Sequence, residues 1–252
     1  MTRISNKYGA LNLSQGFPDF DPPREITDRL AEIAPSGPHQ SAITWGAQDF
    51  REALAKKQSR FTGLPIDPDK NIVVTCGSTE AMMAAMMTVV NPGDKVAIFS
   101  PFYENYTADT ILTGAEPVYI PLVPPSFEFD ANLLEDAFRQ GAKALVLCNP
   151  SNPCGKVFTR EELQTIADII IRYDGYVITD EVYEHIVSTP HKHVYISTLA
   201  DHVCVCAVPG SCFFREDVHH LIRFHFAKRD ETLNVALDRL YELDRKAKDY
   251  KG

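Results

Sequence analysis

Residues 148–155, CNPSNPCG, follow the apolar run 144–147 (ALVL), so two Asn-Pro pairs stand where a buried strand ends. Rigid turns at such a place can present carboxamides, which both donate and accept hydrogen bonds, to a ligand beyond the strand. Three other strand ends carry groups of similar promise. Residues 76–81, CGSTEA, make a small-residue turn that opens a helix. Its backbone N–H groups and the hydroxyls of Ser78 and Thr79 could hold an anion, most naturally a phosphate, although Ser and Thr also cap helices with no ligand present. Residues 100–103, SPFY, put aromatic rings where they can stack on a flat ligand or simply pack. Residues 179–183, TDEVY, set an Asp at the end of a buried strand with a Tyr three residues on, and burying that acid is costly without a partner. Each feature alone has a commonplace structural reading. Together, a phosphate cradle, an aromatic plate, a carboxamide, an acid and a phenol suit a flat, phosphorylated, nitrogen-containing ring.

The elements that must hold these groups alternate along the chain. Residues 71–75 (NIVVT), 96–99 (VAIF), 117–122 (PVYIPL), 144–147 and 176–179 (YVIT) are short, rich in β-formers and bounded by Gly, Pro or Asp, which predicts strands. Residues 78–90 predict a helix stopped by Asn91-Pro92-Gly93, and residues 130–140 another, with Asp130 at its N-cap and Gly141 past its end. In residues 159–173, Thr159 and Glu162 make a capping box, and Leu163, Ile166, Ile169 and Ile170 share one apolar face. Such alternation predicts an α/β domain with a mostly parallel sheet, whose ligands bind beyond the carboxyl ends of the strands. The ends differ: residues 1–44 are rich in loops and Pro, and residues 230–248 read as a charged amphipathic helix. No repeat or low-complexity segment is evident.

Composition narrows the function classes. At 252 residues and 44% hydrophobic, the chain can bury one large domain, or one domain with a small annex. A formal charge of -9 disfavours nucleic acid, which needs clustered Lys and Arg. No apolar stretch approaches the roughly 18 residues of a membrane span, and residues 1–10 lack a signal-peptide core. A soluble, cytoplasmic protein is expected. The six cysteines show no paired CxxC spacing, so no metal site is expected and reduced thiols are.

With NPSNPCG, TDEVYEH and CGSTEA in this order, the sequence resembles the class I/II aminotransferases, pyridoxal 5'-phosphate enzymes of fold type I. The resemblance runs over residues 11–200 and resumes over 203–240. It implies that Gly77, Ser78 and Thr79 hold the cofactor phosphate, that Tyr103 stacks on the ring, and that Asn152 and Tyr183 bond its phenolic oxygen. Asp180 would pair with the protonated ring nitrogen. LIRFHFA, residues 221–227, resembles the segment whose arginine, here Arg223, clamps the substrate α-carboxylate, and Gly16 matches a glycine lining that pocket. Amino acid and 2-oxo acid substrates, a homodimer, and cis bonds before Pro153 and Pro101 also follow from the resemblance.

The chain departs from the family pattern in one region. The family's catalytic lysine, which carries the cofactor as a Schiff base, is not found: after Tyr183 come only Lys192, Lys228, Lys246, Lys248 and Lys251, none in the expected Ser-rich setting. Asp180 and Arg223 are 43 residues apart. At about 30 residues per strand–helix unit, on the order of 100 residues of the pattern are absent from that interval, with the join near residues 199–202. Ser41 stands where many relatives carry a Tyr that reaches the neighbouring subunit's cofactor. The expected architecture is therefore a fold type I α/β protein with an incomplete large-domain sheet, helices on both faces, and a reduced small domain. Its parts would be an N-terminal arm at 1–44, the cofactor domain at 45–200 and a small-domain remnant at 201–252. Two functions are compatible with this reading. One is an aminotransferase, whose catalytic residue is then unknown. The other is a non-catalytic relative that binds the cofactor weakly or pairs with a complete subunit. Residues 71–75 are expected to lose their sheet neighbour and be displaced, replaced by residues 203–208, or paired with a second chain.

Overall fold

The computed structural model describes residues 2–14, 16, 18–37, 39–199, 203–206 and 229–249. In chain order the elements are α1 (Thr2–Tyr8), α2 (Arg24–Ile33), α3 (Gln48–Thr62), α4 (Ser78–Val89), β1 (Lys95–Ser100), α5 (Glu104–Leu112) and β2 (Glu116–Val123). Then come β3 (Glu128–Phe129), α6 (Ala131–Arg139), β4 (Ala142–Cys148), α7 (Arg160–Arg172), β5 (Tyr176–Asp180), β6 (Val203–Cys206) and α8 (Asp230–Asp249). They divide into two units, residues 1–41 with 220–252, and residues 42–219.

In the first unit, α1 and α2 stand where sequence suggested mainly loop. The sequence of α2 explains its helix, because Ile26, Leu30 and Ile33 fall at helical spacing on one stripe. Asp19 ties the two ends of the chain: it accepts from the Arg229 backbone N–H at 2.8 Å and from the Thr232 hydroxyl, so it caps the start of α8 from outside the helix. These bonds and the Arg229 charge hold its carboxyl below the ordinary range.

The second unit carries the sheet, in the order β3-β2-β1-β4-β5-β6, with β3 antiparallel and every other pair parallel. Side-chain alternation divides each central strand between two cores. Ala97, Phe99, Leu145, Leu147 and Val177 face the core that includes Leu134 and Phe138 of α6 and Leu163, Ile166 and Ile170 of α7. Val96, Ile98, Ala144, Val146, Cys148 and Ile178 face Met82 and Met86 of α4 and Tyr106 of α5. Helices thus cover both faces, which is why β1 and β4 read as continuous apolar runs.

The predicted helix boundaries follow their caps. Asp130 accepts from the Asn132 N–H at 2.8 Å at the start of α6. Thr159 and Glu162 form the reciprocal capping box of α7. The peptide bonds before Pro101 and Pro153 are cis, as the resemblance implied, and so are those before Pro125, Pro150 and Pro190.

Residues 71–75 stand outside the sheet, and β6 pairs with β5 in register from Val177↔Val203 to Asp180↔Cys206. Instead of a ladder, the segment has Val74 N–H donating to the Trp45 carbonyl at 3.0 Å. This approach needs Gly46, at φ +99°, because a Cβ there would lie 2.5 Å from Val74 side-chain atoms. Arg51, buried within α3, braces the same loop through the carbonyls of Gly46 and Pro68 and through Asp69.

Two substitutions check this description by urea unfolding. Thr159→Ala removes the N-cap of α7 and is expected to lower stability by about 1 kcal/mol. Leu145→Ala empties a fully buried site in β4 and is expected to lower it by about 2–5 kcal/mol; an unchanged midpoint would mean that β4 is not in the core.

Candidate functional site

The site forms where β4 and β5 end side by side, because Cys148 and Asp180 are register partners. Both follow the strand parity that points to the α4 and α5 face, so the acid emerges toward Tyr106 rather than toward α6 and α7. The Tyr106 hydroxyl donates to Asp180 Oδ2 at 2.6 Å, and the Val182 backbone N–H donates to Oδ1 at 3.2 Å. Asp180 is 1% exposed. Its burial is therefore compensated at least in part by neutral donors, one on each oxygen.

Tyr106 and Cys148 are neutral neighbours of this acid. Burial, then the neighbouring Cys148 and Asp180, raise the Tyr106 phenol well above its ordinary range. Burial, and next the Asp180 charge, push the Cys148 thiol far up as well. One turn of helix before Tyr106, Tyr103 is buried with its ring edge-on to Tyr106, centroids 5.5 Å apart.

The two Asn-Pro pairs have different tasks. Asn149 is a clasp: its N–H donates to the Asp180 carbonyl at 2.9 Å, its side-chain oxygen accepts from the Phe158 N–H at 3.1 Å, and its side-chain nitrogen donates to the Val194 carbonyl at 3.3 Å. Asn152 is held by its backbone N–H, which donates to Cys148 Sγ at 3.3 Å. Its side-chain Oδ1 is buried with no hydrogen-bond partner among the described residues. Tyr106, Cys148, Ser151 and Asn152 line a small cavity with Pro101 and Phe102.

The remaining expected residues lie around this centre. Gly77, at φ +80°, precedes α4 without a side-chain cap, and Ser78 and Thr79 open the helix. Thr79 Oγ1 accepts from Asn105 Nδ2 at 3.5 Å, which links the turn to α5. Glu80 accepts the Cys76 N–H, so an anion bound at this turn would meet a carboxylate nearby. Tyr183 is half-buried in the turn after β5. Gly16 is exposed in the first unit, and Arg223 lies outside the described residues.

Behind β5, on the opposite parity, lies a second buried polar group. Glu181 Oε1 accepts from the Thr179 hydroxyl at 3.3 Å and lies 3.8 Å from His193 Nε2. Glu181 Oε2 and both His193 ring nitrogens are buried without hydrogen-bond partners among the described residues. Tyr195 packs edge-on against His193 and donates to Glu184, which also pairs with Lys57 of α3.

This donor set fits pyridoxal 5'-phosphate at the ring end. It offers a buried, oriented carboxylate for a ring nitrogen, an aromatic plate, and an uncommitted carboxamide atom where a ring oxygen or its water would bond. Sequence reasoning missed Tyr106 and Cys148. A Tyr three residues after Tyr103 is a helical-spacing signal, but only the packing of α5 over the sheet reveals what it reaches.

Comparison with known proteins places the chain in a family. Residues 8–212 match the family model described as aminotransferase class I and II. The chain is 37% identical over 196 residues to a probable N-succinyldiaminopimelate aminotransferase of Mycobacterium tuberculosis, covering 77% of this chain and 49% of that protein. It is 36% identical over 196 residues to the methionine aminotransferase of Escherichia coli, covering 78% and 51%. With human kynurenine–oxoglutarate transaminase 1 it shares 35% over 211 residues, covering 78% and 50%. Among solved structures, Escherichia coli YbdL, which has a methionine aminotransferase function, superposes with a TM-score of 0.78 at 32% identity, covering 83% of this chain and 61% of that one. The Mycobacterium tuberculosis N-succinyldiaminopimelate aminotransferase gives 0.77 at 35%, covering 81% and 55%. The chain spans about half the length of the curated relatives it matches. With its family model, its relatives and its fold in agreement, the chain belongs to the class I and II aminotransferases.

Proposed function

We propose that this chain binds pyridoxal 5'-phosphate at the ends of β4 and β5, and that transamination between an amino acid and a 2-oxo acid requires a lysine supplied from outside it. The observation that carries the binding half is the Asp180 carboxylate, 1% exposed and held by donors on both oxygens. Such a group suits a protonated ring nitrogen, because a charge-assisted bond in a dry site is stronger than one between neutral groups. The bound cofactor supplies an electron sink for the substrate Cα.

Each residue has a defined task in this reading. Ser78 and Thr79 bind the phosphate beside Gly77, whose own N–H donates to the Thr75 carbonyl at 2.8 Å and whose lack of a side chain leaves the turn open, and Tyr103 covers one ring face and excludes water. Asn152 and Tyr183 bond the phenolic oxygen, and Asp180 holds the proton on the ring nitrogen. Arg223 and Gly16 receive the substrate carboxylate. The large cofactor domain is residues 45–200, with the small-domain parts at either end. The compartment is the cytoplasm, consistent with there being no helix among the described residues long and apolar enough to cross a membrane.

Lysine placement supports the second half of the proposal. Lys57 is committed to Glu184, Lys156 lies 2.6 Å from Glu162, and Lys143 lies over the Tyr176 ring. Lys192 is exposed, and Lys228 and Lys251 lie outside the described residues. A complete subunit, as partner in a dimer, is the natural source of the missing group.

Fluorescence titration with pyridoxal 5'-phosphate tests the site. Asp180→Ala is expected to weaken binding by roughly 10- to 100-fold, since a hydrogen bond to a charged group is worth about 1.5–3 kcal/mol, and Tyr183→Phe by about fivefold. Equal, negligible effects would argue against a formed site. Borohydride reduction followed by peptide mapping tests the missing lysine. Reversible binding with no lysine adduct is expected, and one stoichiometrically labelled lysine would show that the chain supplies its own.

A further inference from the structure

A contact from α5 helps to fix the carboxylate plane of Asp180. The Tyr106 hydroxyl lies 2.6 Å from Asp180 Oδ2, and the phenol is 2% exposed. Tyr106 is itself immobilised. Its N–H donates to the Tyr103 carbonyl at 3.1 Å, its carbonyl accepts from the Thr110 hydroxyl at 2.7 Å, and its ring packs against Tyr103. One helical turn thus carries both the residue that would cover the ring face and the residue that grips the acid. The Cys148 thiol borders the same group from β4 and accepts the Asn152 N–H, so the phenol, the acid and the carboxamide turn form one connected unit.

We infer that Tyr106 is a positioning residue for Asp180: its hydroxyl keeps the carboxylate ionised and aimed so that it can accept from a protonated pyridine-type nitrogen. This rests on the cofactor reading above, but it is a separate claim about this chain's own residues. Donors on both oxygens are the pattern of an acceptor-only carboxylate. Burial and the neighbouring Asp180 carboxylate keep the phenol protonated, and therefore a donor. A merely structural tyrosine would also satisfy its hydroxyl inside the protein, so the test must read the ring nitrogen specifically.

The experiment titrates the full chain and its Tyr106→Phe variant with pyridoxal 5'-phosphate and with 1-deazapyridoxal 5'-phosphate, which lacks the ring nitrogen. The expected result is that Tyr106→Phe loses about tenfold in affinity for the first ligand, the loss of one charge-assisted bond, and little for the second. Equal losses for both ligands, or none for either, would overturn the inference. A second measurement needs no ligand. In the protein labelled with 13C at Asp carboxyls, the Asp180 signal, identified by its absence in Asp180→Asn, should titrate at higher pH in Tyr106→Phe than in the parent chain, because the lost bond favoured the ionised form. An unchanged titration sinks the Tyr106 inference. Failure of the parent chain to bind either ligand would instead sink the cofactor reading, so the two failures are distinguishable.

Discussion

One buried carboxylate organises the site: Asp180, at the last position of β5, where the sheet delivers it to the α4 and α5 face. An acid there is tolerable only if its oxygens find donors, and here one comes from a distant helix and one from the adjoining turn. Tyr106 reaches it across 74 positions, whereas Val182 reaches it from the turn that follows. The packing of α5 against the sheet is thus tied to the electrostatics of the site, and neither is independent of the other.

The turn after β4 answers the same constraint from the neighbouring strand. Asn149 satisfies three backbone groups that the sharp change of direction would otherwise orphan, including the carbonyl of Asp180 itself. This leaves Asn152, three residues on, with a buried acceptor in reserve. Two carboxamides in one short turn thus differ: one is spent on the backbone, and the other keeps a side-chain oxygen without a partner among the described residues.

On the other face of β5, Glu181 and His193 form a buried polar pair that takes no part in the proposed binding. Adjacent residues of one strand end thus serve opposite sides of the sheet. Glu184, Tyr195 and Lys57 extend this back side to α3, so the segment that carries Tyr183 is anchored to the helix beside it.

The sequence by itself determined what depends on near neighbours. The central strands were legible as apolar runs bounded by breakers, the starts of α6 and α7 as an Asp N-cap and a capping box, and the polar groups after β1, β4 and β5 as lying at strand ends, whereas the expected strand at 71–75 does not form. The family followed from three ordered motifs. Helices α2, α3 and α5 lacked strong caps, and none of the three has a side-chain cap bond, which is why local signals passed over them. Only the tertiary structure decided the pairing of Tyr106 with Asp180, the division of labour between Asn149 and Asn152, the exclusion of residues 71–75 from the sheet and the pairing of β6 with β5. These rest on contacts between distant segments. Whether a polar group is satisfied, or a strand finds a neighbour, is a property of what the fold brings beside it rather than of the residues on either side in the chain.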